Sequence, residues 1–338
     1  MSRKINLAVI GTGRMGSVHV RNIVRQIPLA NLVAICDIRL EVARAVADEL
    51  GIERVVQDYH ELLADPQIEA VLIATSTPTH AAIIKDAARA GKHIFCEKPL
   101  AVDLKEIDET LEVVERAGVK LQIGFNRRFD KSFRRVRQIV TSGEIGRPCV
   151  LKITNRDPGV PAMEFMRASG GMFLDMSIHD FDMARYQVGD VVEVYARGAL
   201  LSAMELAEID DIDTAAITLT FADGTLGLID NSRIAAFGYD QRLEVFCDRG
   251  VALADNEYET TVHRGNRDGF HRDRLPNFFM QRYAPCYVDE VREFLEAVRD
   301  NTPTPTTGHD GRAAVVLAYA ANRSLRENRP VKISEIHS

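Results

Sequence analysis

A short apolar run, Ile5 to Ile10, leads straight into Gly11-Thr12-Gly13-Arg14-Met15-Gly16, and this junction limits what the chain can fold into more than any other stretch. After the glycines, Val18, Val20, Ile23, Val24 and Ile27 provide the apolar positions of a helix, with Pro28 just beyond its end. A second apolar run, Leu32 to Cys36, ends in Asp37. Strand, glycine-rich turn, helix, strand and acid in this order make one dinucleotide-binding unit. The first glycine makes the tight turn, the second lets the backbone approach a pyrophosphate, and the third lets helix and strand pack closely. The helix N-terminus then offers its N–H groups to the phosphates. Gly11, Gly13, Arg14 and Met15, with Asp37, Ile38 and Arg39 after the second strand, are the expected cofactor contacts. A carboxylate at residue 37 accepts both ribose hydroxyls of NAD and repels the 2′-phosphate of NADP, so NAD is the expected cofactor. Arg39, two residues on, could offset part of that repulsion.

The alternation continues. A helical pattern over Leu40 to Leu50, a helical turn around Tyr59 to Ala64 and a strand at Ala70 to Ala74 bring the chain to Thr75-Ser76-Thr77-Pro78-Thr79-His80. Ligands of open α/β sheets lie at the carboxyl ends of the strands, so Thr75, Ser76, Pro78 and His80 join the candidate cofactor contacts. Thr79 suits the N-cap of the next helix. That helix ends near Gly91, and the strand His93 to Cys96 runs into Glu97-Lys98-Pro99. A lysine at a strand end, beside a proline that restricts the backbone, is placed to reach a ligand in the same crevice, with Glu97 next to it. The helix Asp103 to Ala117 and the strand Lys120 to Phe125 complete a first domain, drawn at residues 1–124. In residues 125–338 a helix near Phe129 to Thr141 precedes β-rich stretches at Pro148 to Asn155, Val191 to Ala199, Asp213 to Phe221, Thr225 to Asp230 and Gln241 to Cys247. Ala222-Asp223-Gly224 and Asp248-Arg249-Gly250 read as hairpin turns, which implies antiparallel order. Helices return at Val288 to Arg299 and at Asp310 to Leu325.

One stretch is a candidate for chemistry. Gly170 to Tyr186, GGMFLDMSIHDFDMARY, reads as a glycine-led turn running into one amphipathic helix, with Phe173, Leu174, Ile178 and Phe181 on its apolar face. Asp175 and His179 stand four apart, which on a helix places both on one face. A carboxylate beside an imidazole fixes its tautomer and stabilises the cation formed when the ring accepts a proton, so the pair suits a general base. The spacing alone more often marks a surface pair or helix decoration, since a working acid and base need a cleft as well.

Composition excludes several classes. With 338 residues and 46% hydrophobic side chains the chain can fill two domain cores. A net charge of -7 argues against a nucleic-acid partner, which calls for a clustered basic surface, and Arg134-Arg135-Val136-Arg137 fits a solvated helix face. No run of about 18 apolar residues appears and the N-terminus carries no apolar signal region, so no membrane segment is expected and the cytoplasm is the expected location. The cysteines Cys36, Cys96, Cys149, Cys247 and Cys286 are scattered and fit reduced thiols without structural zinc. No metal is expected, because His179 with Asp180 or Asp182 lacks further ligands at suitable spacing.

Taken together, GTGRMG with Asp37, the Glu97-Lys98-Pro99 triplet and the Gly170–Tyr186 stretch resemble the glucose-fructose oxidoreductase and inositol dehydrogenase family, over essentially the whole chain. FNRRFD at Phe125 to Asp130, RDPG at Arg156 to Gly159 and GYDQR at Gly238 to Arg242 resemble its inositol 2-dehydrogenase branch. The resemblance implies a Rossmann domain followed by an α+β domain with a large, mostly antiparallel sheet, whose open face packs against other subunits in a homotetramer. It implies catalytic roles for Lys98, Asp175 and His179, and further substrate contacts from Asn126, Arg128, Asp157, Tyr239 and Tyr283, with His309 an additional candidate. The implied reaction is NAD-dependent oxidation of myo-inositol to 2-keto-myo-inositol (scyllo-inosose). In it His179 takes the hydroxyl proton while a hydride leaves the same carbon, Asp175 holds the imidazole, and Lys98 hydrogen-bonds the substrate hydroxyls. The nearest alternative is dehydrogenation of another cyclitol, such as scyllo- or chiro-inositol, or of an aldose. An NAD-using glycoside hydrolase and a non-enzymatic nucleotide sensor stand further off. Met176 departs from the pattern, since some relatives carry a small polar residue there.

Overall fold

Six short strands, β1 (Ile5–Ile10), β2 (Ala30–Cys36), β3 (Val55–Val56), β4 (Ala70–Ile73), β5 (His93–Glu97) and β6 (Leu121–Gly124), build the first sheet of the computed structural model, which describes residues 3–337. All are parallel, in the order β3-β2-β1-β4-β5-β6. Parallel strands are covered on both faces and so read as unbroken apolar runs; β4, AVLI, is buried at every residue. The helices Arg14–Gln26, Leu40–Leu50, Thr77–Arg89 and Leu104–Ala117 make crossovers. The strand order reverses between β1 and β4, so the loops that follow these two strands flank the switch point where such sheets bind ligands.

Leu7, Val9, Val20, Ile23, Ile35, Leu72 and Phe95 form part of the core of this sheet, and Val291, Phe294 and Leu295 of the helix Ala284–Asp300 belong to the same core. Each is fully buried and contributes about 1.5–3 kcal/mol. Thr304 and Thr306 donate their hydroxyls to the Leu121 and Ile123 carbonyls, which covers the open edge of β6. The first unit accordingly comprises residues 1–129 together with 285–313, rather than the contiguous first 124 residues. A late helix completes the core that the early strands leave open on one side.

The second unit comprises residues 130–284 and 314–337. Its sheet contains β7 (Pro148–Arg156), β8 (Val191–Ala199), β9 (Thr214–Phe221), β10 (Leu226–Ser232), β11 (Asp240–Cys247) and β12 (Gly250–Ala254). A small hairpin, β13 (His263–Asn266) and β14 (Gly269–Arg272), stands apart, and β15 (Val331–Lys332) returns to the large sheet. The order is β12-β11-β7-β10-β9-β8-β15, with β7 and β10 parallel and every other pair antiparallel. Both turns expected from Ala222–Gly224 and Asp248–Gly250 join antiparallel neighbours. Period-two alternation sorts the strands: in β10, Leu226 and Leu228 are exposed while Gly227, Ile229 and Asn231 are buried. The outward face carries Leu226, Leu228, Phe246, Val251 and Leu253, all exposed. No helix among the described residues is long and apolar enough to cross a membrane.

Candidate functional site

The loop after β1 is shaped by close backbone approach. A Cβ on Gly11, where φ is +92°, would lie 2.7 Å from the Ala74 backbone, and one on Gly16 would lie 1.9 Å from the Gly11 oxygen. A Cβ on Gly13 would meet nothing within 4 Å. Packing therefore does not explain that glycine; the open space lies at the N-cap of the helix Arg14–Gln26, where unbonded N–H groups suit a pyrophosphate. Arg14 is exposed and Met15 half-buried in the first turn of that helix. Asp37, at the carboxyl end of β2, takes the Thr12 N–H at 2.7 Å and the Thr12 hydroxyl at 3.0 Å on Oδ2, and the Arg39 N–H at 2.9 Å on Oδ1. These bonds fix the carboxylate against the glycine loop. Ile38 is 79% exposed beside it, and Arg39 is also exposed.

After β4, Ser76 rather than Thr79 occupies the N-cap, with Pro78 in the first turn. Thr79 lies inside the helix, its hydroxyl bonded to the Ser76 carbonyl and 2.7 Å from that of Thr75. His80 corrects an expectation. It is buried, with Nδ1 2.8 Å from the Pro99 carbonyl and Nε2 3.2 Å from the Thr75 carbonyl, so it ties two loops together instead of facing a nucleotide. Burial pulls its pKa down, against the pull of those carbonyls and of Glu97. Asn126 and Arg128 lie in the buried turn Asn126–Phe129. Arg128 sits 3.0 Å from Asp310 Oδ1 and reaches the Pro305 carbonyl at 3.4 Å. Burial pushes the Asp310 carboxyl up, but Arg128 and the Thr307 N–H and hydroxyl outweigh it and hold it at about 2. The guanidinium that the resemblance implies as a substrate contact is thus held by partners within the first unit. His309 is exposed and pairs with Glu115.

Glu97 points to an unforeseen group. Its Oε1 lies 2.7 Å from His19 Nε2, and the Glu290 carboxyl lies 4.0 Å from the same nitrogen. The 2.7 Å contact is a hydrogen bond; two ligands of one tetrahedral metal would stand about 3.3 Å apart. Both Glu290 oxygens are buried without a hydrogen-bond partner. Burial, and then the charge on Glu97, push the Glu290 carboxyl well above its ordinary value. A carboxyl with a raised folded pKa contributes stability below the unfolded value and loses it as pH rises toward the folded one. Glu290→Gln should therefore gain stability over the parent as pH increases from about 5 to 8, by at most about 1.4 kcal/mol per pH unit. Chemical denaturation of both proteins across that range measures it; a constant or shrinking difference would show that Glu290 is buried ionised.

In the second unit, the Gly170–Tyr186 stretch is two helices, Met172–Asp175 and Ile178–Gln187, not one. Gly170 and Gly171, at φ +83° and +82°, turn the chain into the first, and Asp211 accepts the Met172 N–H. The break falls at Met176 and Ser177, whose N–H groups both donate to the Met172 carbonyl. The Ser177 hydroxyl donates to Asn231 Oδ1 at 2.5 Å. From Met172 to Ala184 every residue is buried except Asp175 and His179. Asp175 Oδ2 accepts from Arg233 Nη2 at 3.2 Å. The Tyr239 and Tyr283 rings meet edge to face with centroids 6.1 Å apart, and the Tyr283 hydroxyl donates to Gln241 Oε1 at 3.2 Å. Tyr283, 1% exposed, belongs to the buried wall. Asp157, just past β7, is half-buried and joined through its backbone to Ser232 and Ala235. Lys98 is half-buried at the end of β5 in the first unit.

The chain matches a known family across most of its length. The oxidoreductase family with an NAD-binding Rossmann fold matches residues 5–125, and the GFO/IDH/MocA C-terminal domain matches residues 133–253. The chain is 50% identical over 334 residues to the uncharacterized oxidoreductase YrbE of Bacillus subtilis (strain 168), covering 98% of each. It is 45% identical over 333 residues to the myo-inositol 2-dehydrogenase of Thermotoga maritima, covering 98% of this chain and 99% of that one. It superposes with a TM-score of 0.92 on the crystal structure of scyllo-inositol dehydrogenase from Lactobacillus casei with bound NAD(H) and scyllo-inositol, at 30% identity, over 98% of this chain and 100% of that one.

Proposed function

We propose, for a chain that belongs to the glucose-fructose oxidoreductase and inositol dehydrogenase (GFO/IDH/MocA) family and is an NAD-dependent oxidoreductase, that it oxidises myo-inositol to 2-keto-myo-inositol. The observation that carries this reading is that Asp175 and His179 alone are only half-buried in an otherwise buried stretch. Bound NAD supplies the hydride acceptor. His179 takes the hydroxyl proton, and Asp175 orients and stabilises the imidazole. Lys98 donates to the reacting oxygen and keeps negative charge there as the carbonyl forms. Asp157 and Tyr239 bind neighbouring ring hydroxyls. The Lactobacillus casei relative favours a second reading, oxidation of scyllo-inositol, because few contacts separate the two isomers.

Absorbance at the NADH band, with purified protein, NAD and a panel of myo-inositol, scyllo-inositol, chiro-inositol and glucose, tests both. Turnover of myo-inositol above the rest is expected; faster scyllo-inositol or glucose would overturn the first reading. We also propose that the protein is a homotetramer in which other copies cover the exposed Leu226, Leu228, Phe246, Val251 and Leu253. Light scattering should give four times the single-chain mass, and Leu228→Glu with Phe246→Glu a smaller one; a parent protein of single-chain mass would refute the assembly.

A further inference from the structure

Two short helices joined through a turn at Met176–Ser177 carry Asp175 and His179. A single strand reaches both. Asn231, near the carboxyl end of β10, and Arg233, the first residue past it, are each 0% exposed. Asn231 accepts the Ser177 hydroxyl on Oδ1 and donates through Nδ2 to Asp180 Oδ2 at 2.9 Å, which holds the second helix at its start. A carboxylate can only accept, so Asp180 also settles which end of the Asn231 amide faces it. Asn155, directly across on β7, donates to the same oxygen at 2.7 Å, so two neighbouring strands clamp Asp180. Two residues along, Arg233 extends its guanidinium to Asp175 at the end of the first helix. Its Nε and Nη1 have no hydrogen-bond partner, so the pair with Asp175 is the main compensation this buried cation receives.

We propose that Asn231 and Arg233 are positioning residues that lock the two short helices to one strand, and so set the separation of Asp175 and His179 for proton transfer. The inference rests on the assignment of those two residues to the reaction. A misplacement of about 1 Å in a catalytic group costs up to about a hundredfold in rate. The strand thus works with the turn that joins the helices to set the spacing of the site.

The test compares Arg233→Ala, Asn231→Ala and His179→Ala, using NAD and the best substrate of the inositol panel, with thermal unfolding to measure the folded fraction. Arg233→Ala should lower kcat about ten- to a hundredfold while leaving the KM for NAD unchanged, and millimolar guanidinium chloride, below its denaturing range, should restore several-fold activity. Guanidinium should not restore His179→Ala. Asn231→Ala, which removes no charge and supports the inference if Arg233→Ala fails to fold, should show the same fall in kcat at constant KM for NAD. Specific activity of the folded Arg233→Ala and Asn231→Ala proteins within twofold of the parent would overturn the positioning role, as would a loss that follows the unfolded fraction alone. If His179→Ala is inactive and those two variants are not, only this inference fails; if His179→Ala keeps full turnover, the underlying assignment fails as well.

Discussion

Replacement of His179 by alanine is expected to lower turnover by about a hundred- to ten-thousandfold, the range that follows loss of a general base, with the KM for NAD unchanged. The fold should tolerate it. His179 is one of two accessible residues in its stretch, and alanine is the best helix former, so truncation neither opens a core cavity nor breaks the helix. What remains is chemistry. Without the imidazole, the hydroxyl proton has to leave to water or to Asp175, whose carboxylate is already engaged by Arg233. Steady-state NADH formation measures the effect, and a loss below about fivefold would remove His179 from proton transfer. His179→Gln, which keeps a polar side chain of similar reach but cannot take the proton, should be as slow as the alanine variant.

Asp37→Ser should raise the KM for NAD about ten- to a hundredfold, because hydrogen bonds to a charged acceptor are worth about 1.5–3 kcal/mol each. The same change should narrow or reverse the preference for NAD over NADP, since the repulsion of a 2′-phosphate goes with the carboxylate. Asp37 has a second task, holding the Thr12 N–H and hydroxyl, so part of the loss will come from a loosened glycine loop. Asp37→Asn separates the two effects. It retains an oxygen for Thr12 and removes the charge, and should therefore shift the NAD to NADP ratio with a smaller rise in the KM for NAD. A ratio unchanged in both variants would mean that another group, with Arg39 first in line, reads the ribose.

How far the sequence reveals this molecule depends on how local each interaction is. The parallel sheet and its crossovers are legible because apolar runs and glycine turns act over a few residues; the helices Leu40–Leu50 and Leu104–Ala117 fall where periodicity and the N-cap Asp103 put them. The Asp–His pair is legible by spacing, but the break between its helices is not, because it involves neither proline nor glycine. It falls where a serine hydroxyl bonds Asn231, a contact across 54 positions. Arg128 shows the reverse case. Its segment pointed to substrate, but Asp310, far away in the chain, takes up its charge. Arg233 and Asn231 left one usable sign, two polar residues at alternate positions at the buried end of a strand, where apolar side chains are the rule.

The helix Ala284–Asp300 completes the first core only after the chain has passed through residues 130–284 of the second unit. During synthesis the dinucleotide loop, β1 to β6 and their crossovers emerge early, yet Val291, Phe294 and Leu295 arrive last. Units generally fold as they leave the ribosome. Here the nucleotide-binding half has to wait with one flank of its core uncovered, and a chain that stops anywhere before residue 285 carries the glycine loop and Asp37 but lacks the helix that closes the core. The order of translation thus delays the earliest part of the protein until a segment that follows the second unit's main strands has emerged.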